Sequence, residues 1–589
     1  MFLPTTKEEL KKFGWDKLDI ILITGDTYID SPFIGVAIIG KLLISKGFRV
    51  GVIAQPDINS DKDITRLSEP GLFWGVTAGS LDSIVANYTA LLKPRREDDL
   101  TPGGKNTKRP DGATIVYTNL IKKYFKNTTP IVLGGLEASL RRIPHYDFLE
   151  DKIRRSILFD AKADFLVYGM GEKATVEIAE KLKKLKSEGV DLKKDKEKIK
   201  SVIKTIKGIC YISNEKPDGF YELPDFEQVK NDKLKFIDMF NKFYELNLNT
   251  KKGFFQKQDN RFLVQNPAQD DLTREELDSI YELDYERDAH PFYKQFGKIK
   301  AVDTIRFSVT SHRGCFGECN FCAITVHQGK NVISRSENSI LKELELLTKL
   351  PDFKGYILDI GGPTANMYGM GCKNSLNCSK RCIFPKICNN LNFSHYTLLQ
   401  LLKKAREIKG IKKIFIGSGV RYDIVLMDKK YGLNYLNELS NYHISGQLKI
   451  APEHTEDKIL NLMGKTENKF LLEFIEKFNK LNKDKKQFLT YYFIVAHPGC
   501  SLKDTLLMKN FIEKNLKITP EQVQIFTPTP STYSTLMYYT EMNPFTKEKI
   551  FVEKNLKNKL KQKNLITQKD KNKSENRNSY FQEKNKKYI

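Results

Sequence analysis

The sequence predicts an α/β protein of two successive units, a Rossmann-like N-terminal domain and a following partial or complete β/α (TIM-type) barrel. Three observations predict it. Apolar runs of strand length alternate with helical segments. Several of those runs close on Gly, as strands do where a sheet presents ligand loops at its carboxyl edge. The alternation then restarts near residue 304 after a long polar stretch.

The elements follow in order. LDIILITGD (18–26) reads as a buried strand, SPFIGVAIIGKLLISKG as a helix with Pro32 near its start and Gly47 as its stop, and FRVGVIAQP as the next strand, together a βαβ unit. LFWGVTAG (72–79), PIVLGG (130–135) and DFLVYG (164–169) are further strands, each ending in Gly. Residues 175–207 turn helical and Lys-rich, and 214–301 mix short strands with polar stretches, which reads as a connection. The second series opens at TIRFSVTSHRG (304–314) and runs through GYILDIGG, IKKIFIGSGV, SGQLKIAPE, FLTYYFIVAHPG and QVQIFTPTP (522–530). Chemistry in such a barrel sits at the carboxyl ends of the strands. The expected units are therefore 1–210, a connecting region 211–300, the barrel 301–545 and a tail 546–589.

Composition narrows the function classes. A chain of 589 residues at about 150 per domain suggests roughly three to four domains, fewer if one is a barrel. The longest apolar candidate, 34–44, is interrupted by Lys41 and falls short of the ~18–20 residues that cross a bilayer, so no membrane partner is expected. The start, with Thr5 and Thr6 three residues before Glu8 and Glu9, reads as a helix cap and lacks the apolar stretch of a secretion signal; a soluble, cytoplasmic protein is expected. Nine Cys, seven of them between Cys315 and Cys388, suit metal or redox chemistry in a reducing compartment rather than a disulfide framework.

The net charge of +24 is unevenly placed: residues 556–589 hold eleven Lys/Arg against three Asp/Glu. This Lys/Asn-rich stretch has few apolar residues to bury and is expected to be a disordered tail, which leaves a nucleic-acid partner open.

The decisive pattern is Cys315-x-x-x-Cys319-x-x-Cys322, directly after the first strand of the second series. Two further Cys at fixed offsets arise by chance with a probability of roughly 0.002 over the nine. Three thiolates in eight residues can wrap one soft metal centre, and three ligands leave one iron of a 4Fe-4S cube open to a small molecule. Zinc is the alternative, but structural zinc takes four ligands.

With Phe321 before the third Cys, this loop resembles the signature of radical S-adenosylmethionine (radical SAM) enzymes. LDIGGPTANMYGMGCK resembles their second-strand Gly-Gly motif. SGQLKIAPEHT, YYFIVAHPGC, QVQIFTPTPSTYSTLMYYT, GGLEASLRRIPHYD and the opening MFLPTTKEELKKFGWDKLDIILITGDTYIDSP resemble the YgiQ-type subfamily of uncharacterised radical SAM proteins, over about 1–544 and not the tail. The resemblance implies a 4Fe-4S cluster on Cys315, Cys319 and Cys322, SAM bound at the open iron, reductive cleavage of SAM to methionine and a 5′-deoxyadenosyl radical, an electron donor of flavodoxin or ferredoxin type, and an undetermined substrate. Phe321, Gly361 and Gly362 would belong to the cofactor site, the two glycines by letting backbone approach the SAM amino group. Pro363 and Thr364 stand where the superfamily usually has an acid.

A second set, Cys372, Cys378, Cys382 and Cys388, follows the Gly-Gly loop and suits an auxiliary iron–sulfur cluster, structural zinc, or unligated thiols. Cys210 and Cys500 stand alone and read as buried small hydrophobes. In the N-terminal domain, Asp30-Ser31-Pro32-Phe33-Ile34-Gly35 resembles the Asp-x-His-x-x-Gly loop of cobalamin-binding domains, with Pro32 in place of the cobalt-ligating His; a cobalamin-binding-like fold is expected and cobalamin is not. His290, His312, His327, His454 and His497 fall near loops and read as structural groups with proton donation open. The competing function is a non-catalytic iron–sulfur or zinc protein that binds RNA through a basic surface.

Overall fold

The run at 18–26 forms β1 (Ile20–Thr24), buried at all five residues. In this computed structural model, which describes residues 1–372, 378 and 380–568, β1 lies parallel between β2 (Val50–Ala54) and β3 (Phe73–Thr77). Beyond β3 come β4 (Ile131–Leu133) and β5 (Phe165–Val167), again parallel. Helices cover both faces of such a sheet, which is why its strands are apolar throughout instead of alternating. Between β1 and β2 runs α1 (Gly35–Ser45), and Gly47 at φ +80 ends it as predicted. The strand order 2-1-3-4-5 is the flavodoxin-like winding, in which connections depart in opposite directions from β1 and β3 and open a crevice at their carboxyl ends.

Much of the stretch 211–300 belongs to the N-terminal sheet. After α2 (Glu172–Ser187), strand β6 (Ile209–Ser213) pairs antiparallel with β5, and β7 (Tyr221–Glu222), β8 (Phe254–Gln258) and β9 (Arg261–Gln265) carry the sheet to nine strands. Short strands are expected here; their place in the N-terminal sheet is not, because polar residues interrupt the apolar runs. Gln256, Gln258 and Gln265 are buried but satisfied: Gln258 Nε2 donates to Gln256 Oε1 at 2.9 Å and Arg142 Nε to Gln265 Oε1 at 2.8 Å.

The second series has strands in all six predicted runs, paired in parallel, with the GYILDIGG run split into two. β10 (Ser308–Thr310) is followed by β11 (Tyr356–Ile357), β12 (Asp359–Gly361) and β13 (Lys413–Ile414); β12 pairs with β10 and β11 with β13. Val420 bridges to β14 (Gln447–Glu453), which pairs with β15 (Phe488–Val495), which pairs with β16 (Gln522–Ile525). This half has its own apolar core around Ile340, Leu401, Leu448, Phe474 and Phe493. One of the two cores flanking the N-terminal sheet continues into α3 (Tyr533–Thr540), so the halves share apolar packing.

The expectation of a disordered tail from residue 556 is corrected. Leu556–Thr567 form α4, capped by the Asn555 side chain on the backbone N–H groups of Lys557 and Asn558. Lys559, Gln562 and Ile566 are buried. Two of these three are polar, which is why a count of apolar residues missed the helix: it docks by pairing buried polar groups. Gln562 Oε1 accepts the Ala496 N–H at 3.0 Å and the Thr505 hydroxyl at 2.9 Å, and Lys559 Nζ donates to Tyr538 Oη at 2.8 Å. The rest of the predicted tail, 569–589, lies outside the described residues. Among those described, no helix is long and apolar enough to cross a membrane.

Candidate active site

The Cys315–Cys319–Cys322 loop leaves β10 through Ser311, His312 and Arg313. All three thiols are half-buried. Cys315 Sγ accepts the Gly317 N–H at 3.4 Å and lies 3.6 Å from Thr364 Oγ1, and Arg421 Nη1 donates to Cys319 Sγ at 3.5 Å. Asn320 pins the loop from four directions. Its N–H reaches Met463 O at 2.8 Å, its carbonyl accepts Ser534 N–H at 2.8 Å, its Nδ2 donates to Leu462 O at 2.9 Å, and its Oδ1 accepts Arg381 Nη2 at 2.6 Å. Phe321 packs edge-on to His497 at 6.5 Å. Burial, reinforced by the neighbouring Cys319 thiol, raises the Cys315 thiol and pushes Cys322 up to about 12; a metal displaces protons from such thiols on binding.

Gly361 and Gly362 end β12 as expected, but the space beside them is taken by the protein. A Cβ on Gly361 would meet the Asp359 carboxylate and Ser418 Oγ at 2.8 Å, and one on Gly362 would meet the His312 ring at 2.6 Å. The glycines therefore seat His312 and Asp359. The site also has an acid the sequence reading overlooked, two residues before the Gly pair. Asp359 accepts Gly417 N–H at 2.9 Å, Ser418 N–H at 3.2 Å and the Ser418 hydroxyl, and burial still raises its carboxyl above the ordinary range.

The second cysteine set is only partly gathered. Cys382 is buried and takes part in an apolar cluster with Phe316, Met367 and Met370 that Cys315 and Cys388 flank, so it abuts the first loop. Burial, then the neighbouring Glu318, pushes Cys382 up to about 12. Residues 373–377 and 379 between Cys372 and Lys380 lie outside the described residues. Among the described residues, no three His, Cys, Asp or Glu side chains converge as a single bound metal ion requires. Cys210 and Cys500 are fully buried, as expected.

A cavity of about 580 Å³ separates the two halves. On one side it is walled by the carboxyl ends of β1, β3, β4 and β5 at Asp26, Thr77, Gly134 and Gly169; on the other stand His312, Arg313, Asp359, Gly361 and Gly362. Most of the remaining wall is apolar, including Leu22, Ile34, Ile38, Phe73 and Val132. An ion pair crosses the rim: Arg313, whose Nε donates to Tyr281 Oη at 3.0 Å, meets Glu172 at the first turn of α2. Burial holds the His312 and His327 rings down to about 4, so both are neutral.

Residues 2–308 match the family model Radical SAM N-terminal, and residues 521–577 match a domain of unknown function, DUF3362. A UPF0313 protein of Fusobacterium nucleatum is 53% identical over 97% of this chain and 99% of its own length. The chain belongs to the UPF0313 family. A UPF0313 protein of Thermotoga petrophila is 49% identical over 97% of this chain and 100% of its own. The YgiQ-type radical SAM likeness is thereby established for this UPF0313 chain, and the 521–577 match carries the family likeness into the stretch that the sequence reading had left outside it. The solved structure of the radical SAM methyltransferase TsrM from Kitasatospora setae, with cobalamin and a 4Fe-4S cluster bound, is similar in fold over 88% of this chain and 78% of that one, at TM-score 0.50 and 14% identity.

That likeness corrects the exclusion of cobalamin. A protein of shared fold holds cobalamin, and the exclusion rested on one bond, the missing His at position 32. Pro32 removes an imidazole from the cavity wall but leaves the cavity itself. Arg421 and Asn320 carry no sequence expectation, and Thr364 carries none toward the thiols. Asn320 and Thr364 sit inside recognised motifs as unassigned positions, and Arg421 lies about a hundred residues from the thiols and carried no local signal.

Proposed function

We propose that this UPF0313 protein is a radical SAM enzyme in which Cys315, Cys319 and Cys322 hold a 4Fe-4S cluster, SAM binds at the iron they leave free, near Gly361 and Gly362, and the six C-terminal strands form a partial β/α barrel. One observation carries the reading. The Gly317 N–H and an Arg421 N–H are directed at two of the Sγ atoms, and the Thr364 hydroxyl lies beside one of them, a set of polar hydrogens that suits thiolate ligands. When bound, the cluster supplies the electron that splits the SAM sulfonium into methionine and a 5′-deoxyadenosyl radical. Asn320 fixes the loop that presents the thiolates. His312, held neutral, adds no positive charge beside the sulfonium, and the apolar cavity wall keeps water from the space in which the radical would act. A low-potential flavodoxin or ferredoxin is the proposed electron donor. Anaerobic reconstitution, iron counting and EPR test the reading: the wild type takes up iron and gives a SAM-responsive signal with 5′-deoxyadenosine as product. A Cys315→Ala, Cys319→Ala, Cys322→Ala variant that keeps both refutes it.

The cavity supports a second ligand. It opens at the switch point of the 2-1-3-4-5 sheet, where doubly wound sheets hold their ligands, and its wall is mostly apolar. We infer cobalamin, the group held by the TsrM structure, seated there without an imidazole from position 32. A Cβ on Gly134 would meet nothing within 4 Å, so Gly134→Leu should project into the cavity and weaken the absorbance change on adding hydroxocobalamin while the fold is retained. Cys372, Cys378, Cys382 and Cys388 are proposed to hold an auxiliary iron–sulfur cluster or zinc; metal content of the triple variant, about four irons or about one zinc per chain, separates the two.

A further inference from the structure

Arg421 is held by more partners than a surface arginine needs. It follows β13, bridged through Val420 to β14, and its side chain is 11% exposed. Its backbone N–H donates to Asn366 Oδ1 at 2.8 Å and its carbonyl accepts Asn366 Nδ2 at 3.1 Å. Asn366 is buttressed in turn by His395 at 3.1 Å, and His395 by Asp428 at 2.9 Å. The guanidinium is gripped along one edge by Asp423, from Nε at 3.0 and 3.2 Å and from Nη2 at 2.7 Å, and Thr466 holds Asp423 at 3.1 Å. That grip leaves Nη1 pointing at Cys319 Sγ. The cysteine loop is shaped to receive it: a Cβ at Gly317 would lie 2.5 Å from Nη1, so any other residue would push the guanidinium off the sulfur. Thr364, two residues after Gly362, places its hydroxyl 3.6 Å from Cys315 Sγ.

Resting on the cluster reading above, we propose that Arg421 and Thr364 are positioning residues that set the reduction potential of the cluster through hydrogen bonds to its Cys319 and Cys315 thiolates. A fixed cation and a hydroxyl proton at sulfur withdraw electron density from the ligand and favour the cluster state with one more electron, which raises the potential. The loops that follow β12 and β13 thereby act on the cluster ligands.

The test uses the full chain, reconstituted anaerobically, with the cluster potential read by EPR during redox titration. Arg421→Gln and Thr364→Val should each lower the potential while iron content stays at the wild-type value. For Arg421→Gln, the fraction reduced at a fixed potential near the midpoint should fall about tenfold in equilibrium constant, which is ~59 mV for one electron. Arg421→Lys should fall between it and the wild type, because a point charge on a flexible stem does not reproduce the fixed N–H. An Arg421→Gln cluster of full iron content and wild-type potential overturns the proposal, and so does a variant whose only change is weaker SAM binding, which would place Arg421 on the SAM carboxylate. If Arg421→Gln takes up no iron, Thr364→Val decides, since it keeps the side-chain shape, and an unshifted potential there overturns the proposal. A wild type that binds no iron would fail the cluster reading itself, a different result.

Discussion

Asn320 shows how much one residue can carry. Its backbone groups join the cysteine loop to Met463 and Ser534, and its side chain joins it to Leu462 and Arg381. Asn320→Ala keeps the backbone bonds and removes the other two, leaving the Leu462 carbonyl and the Arg381 guanidinium without that partner at a cost of about 1–3 kcal/mol. The expected result is a lower melting temperature and faster loss of cluster iron to a chelator. Wild-type values for both would show that the loop is held by its backbone alone.

At the scale of an element, α4 changes the expectation for the C-terminus. Truncation after Asn555 removes Gln562 from the Ala496 N–H and Thr505, and Ile566 from the C-terminal core. Ala496 precedes His497, which packs on Phe321 of the cysteine loop and whose Nε2 lies 2.7 Å from Ser534 Oγ. The truncated chain should therefore melt lower and hold its iron less well than the full chain. Truncation after Gln568 keeps α4 and should match the wild type in both measurements. Equal behaviour of the two truncations would show that α4 is dispensable.

Across the whole molecule, four buried histidines and the half-buried His327 make stability depend on pH. Burial lowers His145, His312, His327 and His497 to about 4 and His454 to about 3. The unfolded chain, with histidines near 6.5, takes up these protons first, so their contribution is complete above pH 6.5 and is lost as pH falls from 6.5 towards 4. The steepest slope is ~1.4 kcal/mol per pH unit for each histidine that stays neutral in the fold. Melting temperature should fall through that window, and a flat profile between pH 7 and 5 would mean that the rings are protonated in the native state. His312 and His327 line the cavity between the halves, so acid should loosen this interface among the first parts of the molecule.

The two α/β series, all six strand runs of the second, the Gly-terminated strand ends and the cysteine triplet with Phe321 are legible before folding, because each is written in residues adjacent along the chain: an apolar run, a glycine at a turn, ligands at fixed offsets. So is the Gly361–Gly362 turn, though not what fills the space beside it. Tertiary structure alone decided the rest, since the deciding partners are far apart in the chain. Arg421 reaches Cys319 over 102 residues, Gln562 reaches Ala496 over 66, and Arg313 reaches Glu172 over 141. That β7 to β9 join the N-terminal sheet, and that α4 forms at all, was hidden for the same reason. Their buried Gln and Lys side chains look like solvent-facing positions until the fold supplies the carbonyls, hydroxyls and aromatic faces that make burial of a polar group affordable. The cavity belongs to neither half alone: its walls are the carboxyl ends of one sheet and the first strand turns of the other, and only their packing encloses it.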